Sequence, residues 1–182
     1  FHYYLCRQLK GGGMEIFMSL KAHYKSYSAI FPIICRTYND QKQVLLLKRL
    51  NTGYMDGMWD FAGSGHVEEN ETAKMAAIRE CKEEAGINVT IKNVHFVHLS
   101  HRLCADPAGS ITHAYYDIYF MIDHFEGRPR IAEPEKCSEI KWFDIKNLPQ
   151  EMISVRRYAL NDYLNGQFYS EYFDQNGECR RY

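Results

Sequence analysis

Several common signatures are missing from this 182-residue chain, and each absence narrows what it can be. No two of its six cysteines, at 6, 35, 81, 104, 137 and 179, form a C-x-x-C pair. That argues against a zinc finger or a disulfide scaffold and fits reduced thiols in a cytosolic protein. No apolar run approaches membrane-spanning length and nothing resembles a signal peptide, so a soluble, cytoplasmic protein with no membrane partner is expected. A basic excess is missing too: 22 Lys and Arg stand against 23 Asp and Glu, a net charge of −1. This weighs against a grip on long nucleic acid, whereas a small anionic substrate bridged by metal ions needs no such excess. There is no P-loop signature and no internal repeat, and the G-x-S-x-G elbow of serine hydrolases fails at Ala62.

What is present suffices for one full core, since 46% of the residues are hydrophobic. The first thirteen residues, FHYYLCRQLKGGG, read as a foreign aromatic peptide and glycine spacer fused ahead of Met14, leaving 14–182 as a single domain. Residues 1–10 are expected to pack on this domain or on a neighbouring copy through Phe1, Tyr3, Tyr4 and Leu5. Tyr27 to Tyr38 reads as a strand whose Pro32 marks an edge or bulge. Asn39-Asp40 turns it into a second strand over Gln43 to Leu50. A loop over Asn51 to Met58 and a short apolar piece, Trp59 to Ala62, lead to Gly63-Ser64-Gly65. Further strands are predicted within Asn88 to Cys104, Thr112 to Phe125 and Glu139 to Ile145, followed by a closing helix over Val155 to Leu164. Strands, an embedded helix, more strands and a last helix make an α+β sandwich.

The embedded helix is where the chemistry concentrates. Between Thr72 and Ala85 there is neither Pro nor Gly; Thr72, or failing it Asn70, is placed as N-cap, and Gly86 as the stop. At about 100° per residue, Glu80, Glu83 and Glu84 share one stripe. Like charges at these spacings repel, and a hard divalent cation bound by their oxygens offsets the repulsion directly. Clustered carboxylates with such an ion can neutralise charge on an anionic substrate and activate water.

The segment from Gly65 to Ile87 resembles the Nudix box, G-x5-E-x7-R-E-U-x-E-E-x-G-U with U apolar. Gly65, Glu71, Arg79, Glu80, Cys81, Glu83, Glu84, Gly86 and Ile87 fill it without a gap. The resemblance implies a mixed sheet sandwiched between helices and hydrolysis of nucleoside diphosphates linked to another moiety. It implies Mg2+, with Mn2+ able to substitute, held by Glu80, Glu83, Glu84, the carbonyl of Ser64 and a later loop acid, for which Glu135 is the candidate. Glu80 or Glu83 takes the proton from the attacking water. Arg79 orients the carboxylates, and Glu71 is a structural partner or a more distant ligand. Gly63 stands where many relatives have proline, which makes the loop more mobile or lets it approach its ligand more closely.

For the substrate, Lys48, Arg49, His101 and Arg102 are candidates to meet phosphates. Tyr54, Trp59, Phe61 and Tyr116 are candidates to stack a base, with a core role the default for each aromatic. His95, His98 and His101 alternate across a strand too widely for a zinc triad. Proline or tyrosine signatures past the box, tied to ADP-ribose or dinucleoside polyphosphates, are replaced by Arg102 and Leu103. The default is therefore a MutT-like nucleoside triphosphate pyrophosphohydrolase, acting on oxidised or noncanonical nucleotides. Two alternatives remain, an ADP-ribose or nucleotide-sugar pyrophosphatase and a non-catalytic sensing module. A homodimer is left open.

Overall fold

The computed structural model describes residues 25–175 and 177–182; the N-terminal peptide and its expected packing lie outside the described residues. The elements follow as β1 Tyr27–Tyr38, β2 Gln41–Arg49, β3 Trp59–Phe61, β4 Gly65–His66, α1 Ala73–Ala85, β5 His95–Ala105, β6 Ile111–Ile122, β7 Cys137–Asp144, α2 Ser154–Leu164, β8 Tyr169–Gln175 and β9 Glu178–Arg181. The sheet runs β3-β2-β1-β6-β5-β8-β9, with β4 pairing β1 and β7 pairing β2. Its pairings are mixed: β1 with β6 and β5 with β8 are parallel, while the others within the sheet are antiparallel.

Alternation along β1 explains the two layers. Ile30 and Ile34 fall on one face and pack with Leu45, Leu47 and the small residues Ala76, Ala77, Cys81 and Ala85 of α1. Ala29, Phe31, Ile33 and Cys35 fall on the other, with Val44, Leu46, Tyr119 and the α2 residues Val155, Ala159 and Leu160. The sheet thus lies between two helices, as the resemblance implies. The small face of α1 lets its backbone approach β1 closely.

The first hairpin forms as predicted, with Asn39 and Asp40 both at positive φ (48° and 59°), the backbone that suits a tight two-residue turn. Three expectations are corrected. Pro32 lies on the central strand of the sheet, not at its edge. On its β2-facing flank, β4 pairs only Ala29–Ile30 and β2 only Cys35–Tyr38, so proline sits where that flank has no ladder to donate to. A 3-10 turn at Ile91–Asn93 delays β5 to His95. The helix over 154–164 does not close the chain, because β8 and β9 follow and β8 joins β5 in parallel, a pairing that only the tertiary fold supplies.

Candidate active site

The short strand β3 delivers the chain to a tight turn under α1. Gly63 has φ of 77°, and a side chain there would stand 3.0 Å from the Cα of Cys81. A left-handed conformation and close contact with a helix backbone both require glycine. The close contact seen at Gly63 is with the α1 backbone. The N–H groups of Gly63 and Ser64 donate to the same oxygen, Oε2 of Glu84, at 2.7 and 3.0 Å. Proline could not donate there. Burial, with the Glu80 and Asp60 charges adding to it, pushes the Glu84 carboxyl up to about 8, against the pull of those two N–H bonds. At Gly65 a Cβ would overlap the carboxyl group of Glu80, so this glycine makes room for an acid rather than for backbone.

The helix itself is capped at both ends as the sequence predicts. The Thr72 side chain accepts from Met75 N–H, and Gly86 ends the helix at φ of 67°. On its outer face Arg79 is the hub. Its guanidinium donates to Glu71 at 2.7 and 3.2 Å, to Glu80 at 2.7 Å, to Glu83 at 3.0 Å and to the His66 carbonyl at 3.1 Å. The Arg79 bond holds Glu71 below its ordinary value, while burial raises Glu80 in spite of Arg79.

These residues suit a hard divalent cation by their chemistry: carboxylate oxygens, two of them on desolvated groups whose negative charge burial disfavours. Among the described residues no three acidic, His or Cys side chains surround one common point. Two of the three ridge carboxylates turn toward Arg79 and the third toward the loop amides.

Beside the ridge lies a cleft of about 870 Å³, within the range of small-molecule sites. Ser64, Gly65 and Glu84 border it, β2 and β3 contribute Leu47, Arg49 and Asp60, and β5 and β6 contribute Arg102, Cys104 and Tyr115. Its inner end is a buried ionic network. Arg102 donates to both oxygens of Asp117 at 2.7 and 3.1 Å and to Asp174 at 3.2 Å. Arg156 donates to Asp60 at 3.2 Å and to Asp117 at 3.3 Å, and its guanidinium lies 3.5 Å from the centre of the Phe31 ring. Arg49 reaches Asp60 at 3.3 Å.

Comparison with known proteins places this architecture. The NUDIX domain family model matches residues 32–163. The chain belongs to the Nudix family. A provisionally named 8-oxo-dGTP diphosphatase of Bacillus subtilis (strain 168) is 29% identical over 131 residues, covering 70% of this chain and 75% of that protein. An ADP-ribose pyrophosphatase of Methanocaldococcus jannaschii is 33% identical over 122 residues, covering 67% of this chain and 66% of that protein. Among solved structures, a MutT NUDIX hydrolase from Burkholderia pseudomallei superposes with a TM-score of 0.62 at 25% identity, covering 75% of this chain and 97% of that one.

The strand residues predicted from sequence sort by strand face. Arg49 and Arg102 line the cleft. His101 and Tyr116 do not: one residue away from Arg102 and Asp117, they fall on the opposite face and stack on each other with ring centres 4.7 Å apart. Trp59 and Phe61 are core, Trp59 packing edge-on against Phe143 at 4.8 Å. Lys48 pairs with Glu139 at 3.6 Å, outside the cleft lining. Glu135 is exposed, whereas Glu133 is the loop acid whose charge adds to the rise at Glu80. Ser64 engages Glu84 through its N–H. His98 is buried and His95 exposed, so the histidines form no triad.

Sequence reasoning missed Asp60, Asp117, Asp174 and Arg156. One signal was available for Asp117, a lone charge inside the apolar strand YYDIYFMI, where only a buried partner makes an acid tolerable. Asp174 and Arg156 carry no comparable local mark.

Proposed function

We propose that this Nudix hydrolase cleaves a nucleoside triphosphate, oxidised or noncanonical bases included, to nucleoside monophosphate and pyrophosphate in a Mg2+-dependent reaction, with Mn2+ able to substitute. The observation that carries the reading is the joining of the acidic ridge to the cleft through Glu84, which borders the cleft while gripping the Gly63-Ser64 turn. The name of the Bacillus subtilis relative supports the triphosphate class.

Glu80, Glu83 and Glu84 would hold the cation, with the Ser64 carbonyl and Glu133 beside them in preference to Glu135. The bound ion supplies charge neutralisation on the phosphate oxygens and acidifies a water. The protein supplies the rest. Glu80 or Glu83 accepts the proton of the attacking water once it turns from Arg79. Arg79 gathers Glu71, Glu80 and Glu83 by charge-assisted hydrogen bonds, and a bound cation would replace those bonds at Glu80 and Glu83. Lys136, on the cleft lining, meets the phosphates, Arg49 being held by Asp60, and the walls keep bulk water from the anhydride.

An ADP-ribose pyrophosphatase is the second reading, supported by the name of the Methanocaldococcus relative. Among the described residues no helix is long and apolar enough to cross a membrane, and Cys35, Cys81, Cys104, Cys137 and Cys179 are free thiols, which supports a cytoplasmic setting. The deciding experiment measures product release with Mg2+ against a panel of triphosphates and ADP-ribose. Pyrophosphate from a triphosphate supports the first reading, AMP and ribose phosphate from ADP-ribose the second. Absence of turnover on every member would remove both.

A further inference from the structure

The family match ends at residue 163, yet the chain continues through β8 and β9, and this hairpin reaches the cleft. Its parallel register with β5 sets Tyr172 opposite Arg102 and Asp174 opposite Cys104. Asp174 is 4% exposed. One of its oxygens accepts from Arg102 at 3.2 Å and the other from the Gly177 N–H at 2.9 Å. Both Asp174 and Gly177 line the cleft.

The opposite side of the mouth is the loop between β2 and β3. Asp56 gathers it, accepting from the Thr52 N–H at 2.9 Å, the Thr52 hydroxyl at 2.7 Å and the Gly53 N–H at 3.1 Å. Arg49 Nε holds the Tyr54 carbonyl at 2.8 Å. Met55, a long side chain at a positive φ of 50°, is carried by this loop until its sulfur and methyl lie directly on Gly177, where any side chain would overlap them. A residue kept in that sparsely populated conformation needs surroundings that hold it there, and the contact with the hairpin is one such constraint.

We infer that the β8–β9 hairpin is a specificity-determining wall of the site: Asp174, by fixing Arg102, and Gly177, by seating Met55, select the part of the substrate remote from the scissile anhydride. This rests on the cleft being the nucleotide site. The phosphates are common to every candidate substrate and belong at the Glu84 end, so discrimination must come from contacts at the other end. The charges there are balanced, Asp60, Asp117 and Asp174 against Arg49, Arg102 and Arg156. A further phosphate gains nothing against such a balanced set, so the chemistry that fits is an uncharged, polar ring moiety.

The test compares wild type, Asp174→Asn and Met55→Ala for kcat/KM on a set of nucleoside triphosphates and ADP-ribose. Magnesium tripolyphosphate, which has the anhydride but no nucleoside, serves as competitive inhibitor. The expected result is a change of about tenfold or more in the ratio of kcat/KM between substrates, with tripolyphosphate inhibition unchanged. An equal loss on every substrate, or inhibition weakened to the same degree, would reduce the hairpin to a structural support and overturn the inference. So would unaltered ratios. Met55→Ala removes a partly buried side chain at the mouth and keeps the test valid should Asp174→Asn fail to fold. A wild type inactive on the whole set would instead defeat the nucleotide reading itself, and this inference with it.

Discussion

The acidic ridge on α1 and the inner wall of the cleft both crowd charged side chains together, but by opposite means. On the ridge the charges come from one stretch of fifteen residues or so, and Glu83 is half exposed, so its charge stays hydrated. In the inner wall Asp60, Arg102, Asp117, Arg156 and Asp174 come from five different elements and are all buried. Removing Glu83 leaves solvent to compensate the loss. Removing an inner-wall charge strands its partner in a medium that cannot. The ridge is built for chemistry that can be lost without unfolding, and the wall is built so that chemistry and stability cannot be separated.

That contrast can be broken most directly at Glu83. Glu83→Gln is expected to lower kcat by roughly 10²–10⁴-fold if it serves as ligand or base. Its unfolding free energy should stay within about 0.5 kcal/mol of wild type, because only an exposed i,i+4 pair with Arg79 is lost. Turnover assays and urea titration on the same preparation decide it; equal damage to both would erase the distinction. Asp117→Asn is the counterpart. It leaves Arg102 and Arg156 short of a shared carboxylate and should cost about 3–5 kcal/mol of stability, read as a shift in the urea midpoint at unchanged slope.

The same contrast explains what could be read from the sequence. The box residues, the caps at Thr72 and Gly86, the first hairpin and the alternation of β1 are local facts, set by spacing, turn chemistry and the periods of helix and strand. Arg102 and His101 are neighbours in sequence, and choosing between them requires knowing which face of β5 meets the cleft. Glu133 and Glu135 pose the same problem in a loop, where no period applies. The β8–β9 hairpin was invisible because its polar-aromatic alternation becomes a strand only by pairing with β5, which precedes it by about seventy residues.

Glu84 tests the border between the two regions, since it belongs to the ridge by sequence and to the cleft by burial. Its carboxyl is raised to about 8 in the folded protein, so between the unfolded carboxylate value and about pH 8 the native state binds the extra proton. In the absence of divalent metal, stability should therefore fall as pH rises from about 4.5 towards 8, and Glu84→Gln should flatten that slope. A cation on Glu84 must displace the proton, so magnesium affinity should rise over the same window, measurable by calorimetry in buffers of different ionisation heat. Gly65→Ala probes the fit between turn and ridge. Its methyl group must push the Glu80 carboxyl aside, and a displacement on the order of 1 Å at a catalytic group costs up to about 10²-fold in kcat. Stability should change little, because the group displaced is the end of a flexible side chain.

The smallest effect should come from the helix cap, and it sharpens the comparison because it separates the ridge's position from its charge. Thr72 accepts the Met75 N–H at 3.4 Å, a long bond, so Thr72→Ala should cost about 1 kcal/mol or less of unfolding free energy. The carboxylates lie two and three turns further along α1, where the small-residue face holds the helix against β1 whatever happens at its first turn. If kcat is then unaltered while the melting temperature drops by a few degrees, the ridge is positioned by packing. If kcat falls with it, the first turn sets the register of Arg79, and the ridge is coupled to stability as tightly as the inner wall.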